Sequence, residues 1–160
     1  MIFYKIARAA TFLVSKILYK VRYEGLENVP NDRGFILCSN HISTFDPILI
    51  AVRLKPQCFF MAKEELFENK LLAPIIRGLG AFPVTRGKGD TAAIEKAVDY
   101  VKNGKVVAIF PEGHRSEDGK LQKLKSGAVV IAAETGMGLQ PCVIKKGPQK
   151  RLRTPVVIRY

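Results

Sequence analysis

At 160 residues, 48% apolar and 25% charged, the chain is sized for one compact domain and lacks a disordered or fibrous composition. Lysine and arginine outnumber acidic residues 26 to 14, a formal charge of +12. That surplus directs attention to an anionic partner: nucleic acid, an acidic membrane surface or phosphate-bearing substrates.

Residues 1–23 read as an amphipathic helix. At 100° per residue Ile6, Ala10, Leu13, Val14, Ile17 and Val21 share one side, and Lys5, Arg8, Lys16 and Lys20 cluster on another. The basic residues interrupt every apolar run well short of the roughly 18 residues needed to span a bilayer. The stretch AATFLVS is short and no small-residue cleavage site follows it, which argues against a secretory signal. Two readings stand: a helix packed onto the domain, or one lying in the headgroup layer with its cations against anionic lipid.

Short apolar runs then alternate with amphipathic stretches. Strands are expected at Phe35–Cys38, Cys58–Ala62, Ala81–Val84, Val106–Phe110, Pro141–Ile144 and Pro155–Ile158. Helices are expected at Pro47–Leu54, through Leu66, Leu71 and Ile75, at Thr91–Lys102 capped by Asp90 and stopped at Gly104, and at Ser126–Thr135 closed by Gly136. The alternation predicts an α/β fold: a single domain over residues 24–160, with a mixed sheet flanked by helices and preceded by the amphipathic helix. In such folds ligands gather beyond the carboxyl ends of strands. His41, Arg86, Glu112 and Arg115 all follow expected strands.

Three stretches carry candidate chemistry. In NHISTFD, residues 40–46, a loop folding back lets Asp46 accept a hydrogen bond from one imidazole nitrogen of His41. The other nitrogen is then free to take a proton from a substrate hydroxyl. The same residues also fit a plain helix start, with Ser43-x-x-Asp46 as a capping box and Pro47 in the first turn. In FPEGHRS, residues 110–116, Gly113 permits a tight turn and Arg115 offers a planar fork for phosphate oxygens, with Glu112 orienting a hydroxyl or an arginine. An ordinary strand-to-loop turn is the alternative. In GAFPVTRG, residues 80–87, Arg86 would complete an anion clamp, and Lys123 and Lys125 add charge ahead of a helix start at Ser126. Cys38, Cys58 and Cys142 form no Cys-x-x-Cys pair, and neither His41 nor His114 has cysteine at zinc-finger spacing, so no metal site is expected.

The order of these stretches resembles the glycerolipid acyltransferase family, which includes the 1-acyl-sn-glycerol-3-phosphate acyltransferases. NHISTFD matches the family's N-H-x4-D block, GAFPVTR looks like its second block ending in arginine, and FPEGHRS is similar to its F-P-E-G-x-R-S block. LQPCVI resembles the fourth block, centred on a proline here found at Pro141. Position 114 is His where Thr is more usual, and a chain ending at Tyr160 is short for the family, a minimal or truncated member.

The resemblance implies transfer of an acyl chain from acyl-CoA or acyl-carrier protein to the free hydroxyl of a lysophospholipid, 1-acylglycerol-3-phosphate, to give phosphatidate. His41 would act as general base and Asp46 as its support. Arg86, Glu112, Gly113 and Arg115 would bind the acceptor, and Pro141 would belong to the donor site. It implies no metal, cofactor or nucleic acid, and a peripheral or monotopic position on an anionic membrane surface at the cytoplasmic face. An acyltransferase acting on glycerol-3-phosphate or another lysolipid, a covalent route through Ser43, Ser116 or Cys38, a hydrolase using water as acceptor, and a non-catalytic anionic-lipid- or nucleic-acid-binding module are the competing readings.

Overall fold

The apolar runs Phe35–Leu37 and Val106–Ile109 become strand segments buried on both faces, the environment in which a strand needs no polar alternation. A computed structural model, describing residues 2–85 and 90–160, arranges seven strands in one sheet. They are β1 (Tyr19–Glu24), β2 (Phe35–Ser39), β3 (Cys58–Lys63), β4 (Ala81–Val84), β5 (Val106–Ile109), β6 (Leu139–Lys146) and β7 (Thr154–Arg159). The order is β1-β7-β6-β2-β5-β3-β4. Every neighbouring pair runs parallel except β6 and β7, so the sheet is mixed, as expected.

Helices α1 (Ile2–Leu18), α2 (Asp46–Ala51), α3 (Leu72–Gly78), α4 (Thr91–Lys102) and α5 (Gly127–Thr135) flank it. Successive strand residues point to opposite faces, which divides the interior into two cores. Leu37, Ala108, Cys142, Ile144 and Ile158 pack with Leu49 and Ile50 of α2 on one face. Ile36, Val107 and Ile109 pack with Ala97 and Val101 of α4 and Ile131 of α5 on the other.

The strand expectations hold, and the helices differ in instructive ways. The helix expected over residues 1–23 ends at Leu18, and the following residues form the edge strand β1 beside β7. Tyr19, Val21 and Tyr23 lean on the core while Lys20 and Arg22 are exposed. That period of two is short enough to be absorbed into a helical reading of the preceding stretch. The helix expected at Pro47–Leu54 starts at Asp46 and ends at Ala51. The stretch through Leu66, Leu71 and Ile75 breaks into a 3-10 turn, Glu64–Phe67, and α3, because Asn69 Oδ1 accepts the N–H groups of Leu71 and Leu72 and starts a new helix.

α4 has the expected bounds. Asp90 accepts N–H from Thr85 at 2.8 Å and from Ala93 at 2.9 Å, and these bonds hold its carboxyl below the usual range. Among the described residues no helix is long and apolar enough to cross a membrane.

One close approach fixes the start of β2. A Cβ on Gly34 would run into the carbonyl oxygen of Val101 and lie 2.9 Å from that of Lys105, both main-chain atoms at the end of α4. Gly34→Ala is therefore expected to cost about 1–3 kcal/mol through overpacking. Thermal denaturation should show a Tm lower by about 3–10 °C; an unchanged Tm would mean that the α4–β2 contact is loose.

Candidate active site

The chain leaves β2 at Ser39, and the next side chain locks the exit. Asn40 donates from Nδ2 to the carbonyl of Ile144 at 3.0 Å and accepts the Ile144 N–H at 2.8 Å, a side-chain substitute for one rung of the β2–β6 ladder. His41 follows at once, held at both main-chain polar groups. Its N–H donates to Glu112 Oε1 at 2.8 Å, and its carbonyl accepts the N–H of Ser116 at 2.7 Å. The ring stacks on Phe110, centroids 4.1 Å apart. The FPEGHRS loop thus grips the residue that NHISTFD presents.

His41 Nδ1 lies 2.9 Å from Asp46 Oδ2. The same oxygen accepts N–H from Ile42 at 2.6 Å and Ser43 at 2.7 Å. Asp46 is only 1% exposed, and a buried carboxylate surrounded by donors is an acceptor. In the neutral imidazole Nδ1 of His41 is then the nitrogen that donates to it, and Nε2 keeps a lone pair. Asp46 orients the imidazole, gathers the loop N–H groups and opens α2, while the expected capping box forms only in half: Asp46 accepts the Ser43 N–H, but the N-cap is Phe45 and no side chain caps the helix.

Glu112 sits elsewhere than its expected place among acceptor-binding groups. It is 1% exposed, with Oε1 taken by His41 N–H and Oε2 by Gln122 N–H at 2.8 Å. Its oxygens face two loops from behind. Arg115 and Gly113 do reach the front. Arg115 Nη1 donates to Thr44 Oγ1 at 2.6 Å, tying the two motifs across the mouth of the site. Gly113 adopts φ 77°, and a Cβ there would meet Lys125 Nζ at 2.7 Å, so the Lys125 ammonium lies directly over the turn.

Lys125 is anchored by its own N–H to the Pro111 carbonyl at 2.9 Å. Its charge is visible in the sequence; its convergence on Gly113 is not. Arg86 lies outside the described residues. Pro141 is exposed on β6 beside Cys38 and lines no part of the cavity at His41, because Cys142 and Ile144 take the face towards α2.

That cavity, of about 590 Å³, opens from His41 between α1 and the sheet. Tyr4, Arg8 and Thr11 of α1, Pro47 and Ile48 of α2, Phe60 and Met61 of β3, and Ile76 of α3 form its walls, while Gly113 and Arg115 stand at the His41 end. Long apolar walls with a few polar groups at one end suit a ligand with a hydrocarbon tail and a charged head.

Two of the three candidate nucleophiles for a covalent route, Cys38 and Ser116, are poorly placed. Burial pushes the Cys38 thiol up to about 11, the Cys142 thiol up to about 12 and Cys58 up as well, so a thiolate is disfavoured near neutral pH. Ser116 Oγ is spent on the Lys120 carbonyl at 2.7 Å. Among the described residues no group of three His, Cys, Asp or Glu side chains is placed to hold a metal.

The chain is similar to several known proteins along most of its length. The chain is 35% identical over 141 residues to the 1-acyl-sn-glycerol-3-phosphate acyltransferase of Bacillus subtilis, covering 88% of this chain and 68% of that one. It is 34% identical to the enzyme of the same name from Streptococcus pneumoniae, covering 79% of this chain and 47% of the relative. Its fold is similar to that of the 1-acyl-sn-glycerophosphate (LPA) acyltransferase PlsC from Thermotoga maritima, with a TM-score of 0.71 at 30% identity. That likeness covers 98% of this chain and 65% of the other. The chain thus spans from under half to about two thirds of the length of these three proteins. The family described as "Acyltransferase" matches residues 20–145, from β1 almost to the end of β6, and on this extent of agreement the chain belongs to the acyltransferase family.

Proposed function

We propose that this protein transfers an acyl chain from a thioester donor, acyl-CoA or acyl-carrier protein, to the free hydroxyl of 1-acylglycerol-3-phosphate, giving phosphatidate. The observation that carries the reading is the Asp46–His41 hydrogen bond of 2.9 Å beside an apolar cavity with cations at its mouth.

In this mechanism His41 Nε2 removes the acceptor's hydroxyl proton as the oxygen attacks the thioester carbonyl carbon. The imidazolium that forms is stabilised by Asp46, the C–S bond breaks, and the imidazolium returns the proton to the departing sulfur. General-base assistance of this kind contributes typically ~10²–10⁴ in rate. Arg115 and Lys125 hold the acceptor phosphate, with Arg86 as the further arginine of the clamp. The cavity takes a hydrocarbon chain, and the reading assigns no role to a metal or prosthetic group.

The tails of the acceptor and of the product belong in a bilayer, and the exposed side of α1 is apolar. Ile6 and Leu13 are each 64% exposed, and Val14 and Ile17 accompany them. Leu71, at 83%, with Leu72 and Ile75, adds a second exposed apolar group at α3. These features support peripheral or monotopic attachment to an anionic membrane, at its cytoplasmic face, where acyl-CoA and acyl-carrier protein are found.

Three outcomes test the reading. His41→Ala should abolish acyl transfer, a loss of at least ~10²-fold, with fold and lipid binding retained. Asp46→Asn should leave a small residual rate, and Cys38→Ala should change little. Near-normal turnover by His41→Ala in a thioester-release assay would sink the mechanism, and lipid binding without turnover by the wild type would favour a non-catalytic module.

Arg115→Ala should raise KM for lysophosphatidate more than it lowers kcat. Arg115→Lys should restore it only in part, because an ammonium lacks the planar fork. A normal KM in both would place the phosphate elsewhere.

Leu13→Asp with Ile17→Asp should release the protein from anionic vesicles and cut activity on bilayer substrate, while turnover of a soluble short-chain lysolipid persists. Since both side chains are exposed, loss of fold is not expected, and continued vesicle binding would count against α1 as the attachment helix.

A further inference from the structure

The turn joining β6 to β7 is the most one-sidedly charged loop in the chain. Residues 146–153 read KGPQKRLR: four cations, no carboxylate, and every side chain exposed except the half-buried Gly147. Lys146, Lys150, Arg151 and Arg153 enter no ion pair among the described residues. Like charges so close together repel, and a loop that only reversed the chain would have no reason to collect them.

The loop has a defined shape. Thr154, 3% exposed, accepts the N–H of Lys150 and donates to its carbonyl, both at 3.0 Å, closing the Lys150–Arg153 stretch into a ring. Gly147 N–H donates to the Pro155 carbonyl at 2.9 Å and fastens the base. Arg153 adopts φ 59°, a left-handed conformation that costs a non-glycine residue energy and turns the stretch back on itself. Leu152 is held 53% exposed among the cations.

Its position gives the shape a use. The loop leaves β6 two residues after Ile144, which Asn40 clamps next to His41, so it stands on the catalytic edge of the sheet. In the β1–β7 register Thr154 pairs with Tyr19, the residue directly after α1. The loop therefore lies where the exposed apolar side of α1 ends and the site begins.

We infer that the β6–β7 loop is a second membrane contact, in which Lys146, Lys150, Arg151 and Arg153 bind the phosphates of anionic phospholipid headgroups and Leu152 enters the interface. It would level the catalytic edge against the bilayer, while α1 supplies the apolar attachment. The inference rests on the reading above that the acceptor lipid stays in a bilayer. An exposed leucine among cations at the end of an apolar helix fits a headgroup layer better than a purely acidic protein surface.

The test measures partitioning onto phosphatidylcholine vesicles with and without phosphatidylglycerol, by sedimentation, for the wild type, Lys150→Gln with Arg151→Gln, Leu152→Ser, and Lys102→Gln with Lys105→Gln. The last pair lies at the opposite end of the sheet, around the end of α4 and the start of β5, and controls for net charge. Each cation near an anionic leaflet contributes about 1 kcal/mol, or roughly fivefold, so the loop pair should weaken partitioning onto the anionic vesicles about 25-fold. It should have little effect on phosphatidylcholine alone, and the control pair should have little effect on either. Leu152→Ser should weaken binding in a way that added salt does not remove. Turnover of a soluble short-chain lysolipid should be unchanged in the loop variants, and thermal denaturation should show them folded.

Equal losses from the loop and control pairs would overturn the inference, since net charge alone would then explain them. Lost turnover of the soluble lysolipid would overturn it by placing the loop in the catalytic machinery. Unchanged vesicle binding with a raised KM for acyl-carrier protein would overturn it in favour of a docking site for that acidic partner. If the wild type proved catalytically inert while loop-dependent vesicle binding persisted, the membrane contact would stand and the acyltransfer reading would fall.

Discussion

A carboxylate shut away from water is costly unless donors replace the water it has lost. Glu112 meets that requirement with two backbone N–H groups from different segments, His41 and Gln122. Neither segment belongs to a helix or strand, so neither has a ladder of its own to hold it. The buried charge fixes where the loop after β2 stands relative to the loop after β5. His41's position, its stack on Phe110 and the approach of Arg115 to Thr44 all follow from that registration. Removing one donor would leave half of a buried carboxylate unsatisfied, a penalty of about 1–3 kcal/mol or more for a charged group, so the two loops are coupled energetically as well as spatially.

Asp46 repeats the arrangement one layer forward. It too is buried and satisfied, but one of its donors is a side chain that can exchange its other proton site with a ligand. The loop N–H groups of Ile42 and Ser43 make Asp46 a fixed acceptor. An imidazole facing a fixed acceptor has little freedom of rotation, the preorganisation on which the proposed proton transfer depends. The two carboxylates divide the work: Glu112 sets the backbone, and Asp46 sets the ring.

The wider architecture separates apolar from charged duty. Helices α4 and α5 seal one face of the sheet with a tight core. On the other face, α1 and α2 leave a cavity, and the outer side of α1 remains apolar. Positive charge collects on the carboxyl edge of the parallel strands, at Arg115, Lys125 and the β6–β7 loop. In the proposed reading, a molecule with a hydrocarbon tail and a phosphate head meets both environments at His41.

The sequence by itself determined what depends on neighbours in the chain. Apolar runs such as Val106–Ile109 became buried strands, Asp90 capped α4, and the five-residue interval between His41 and Asp46 allowed the hydrogen bond that forms. Those outcomes rest on local periodicity and local hydrogen bonding, which spacing records. The tertiary structure decided what depends on direction. Tyr19–Glu24 became a strand because the β7 edge was there to pair with it. Pro141 turned away from the cavity because its neighbours Cys142 and Ile144 were drawn into the core. Glu112 faced inward because two N–H groups, 71 and 10 residues away along the chain, converged behind it. A residue's type and position fix which bonds it is able to make, but only packing settles which face it presents and which distant donor meets it there.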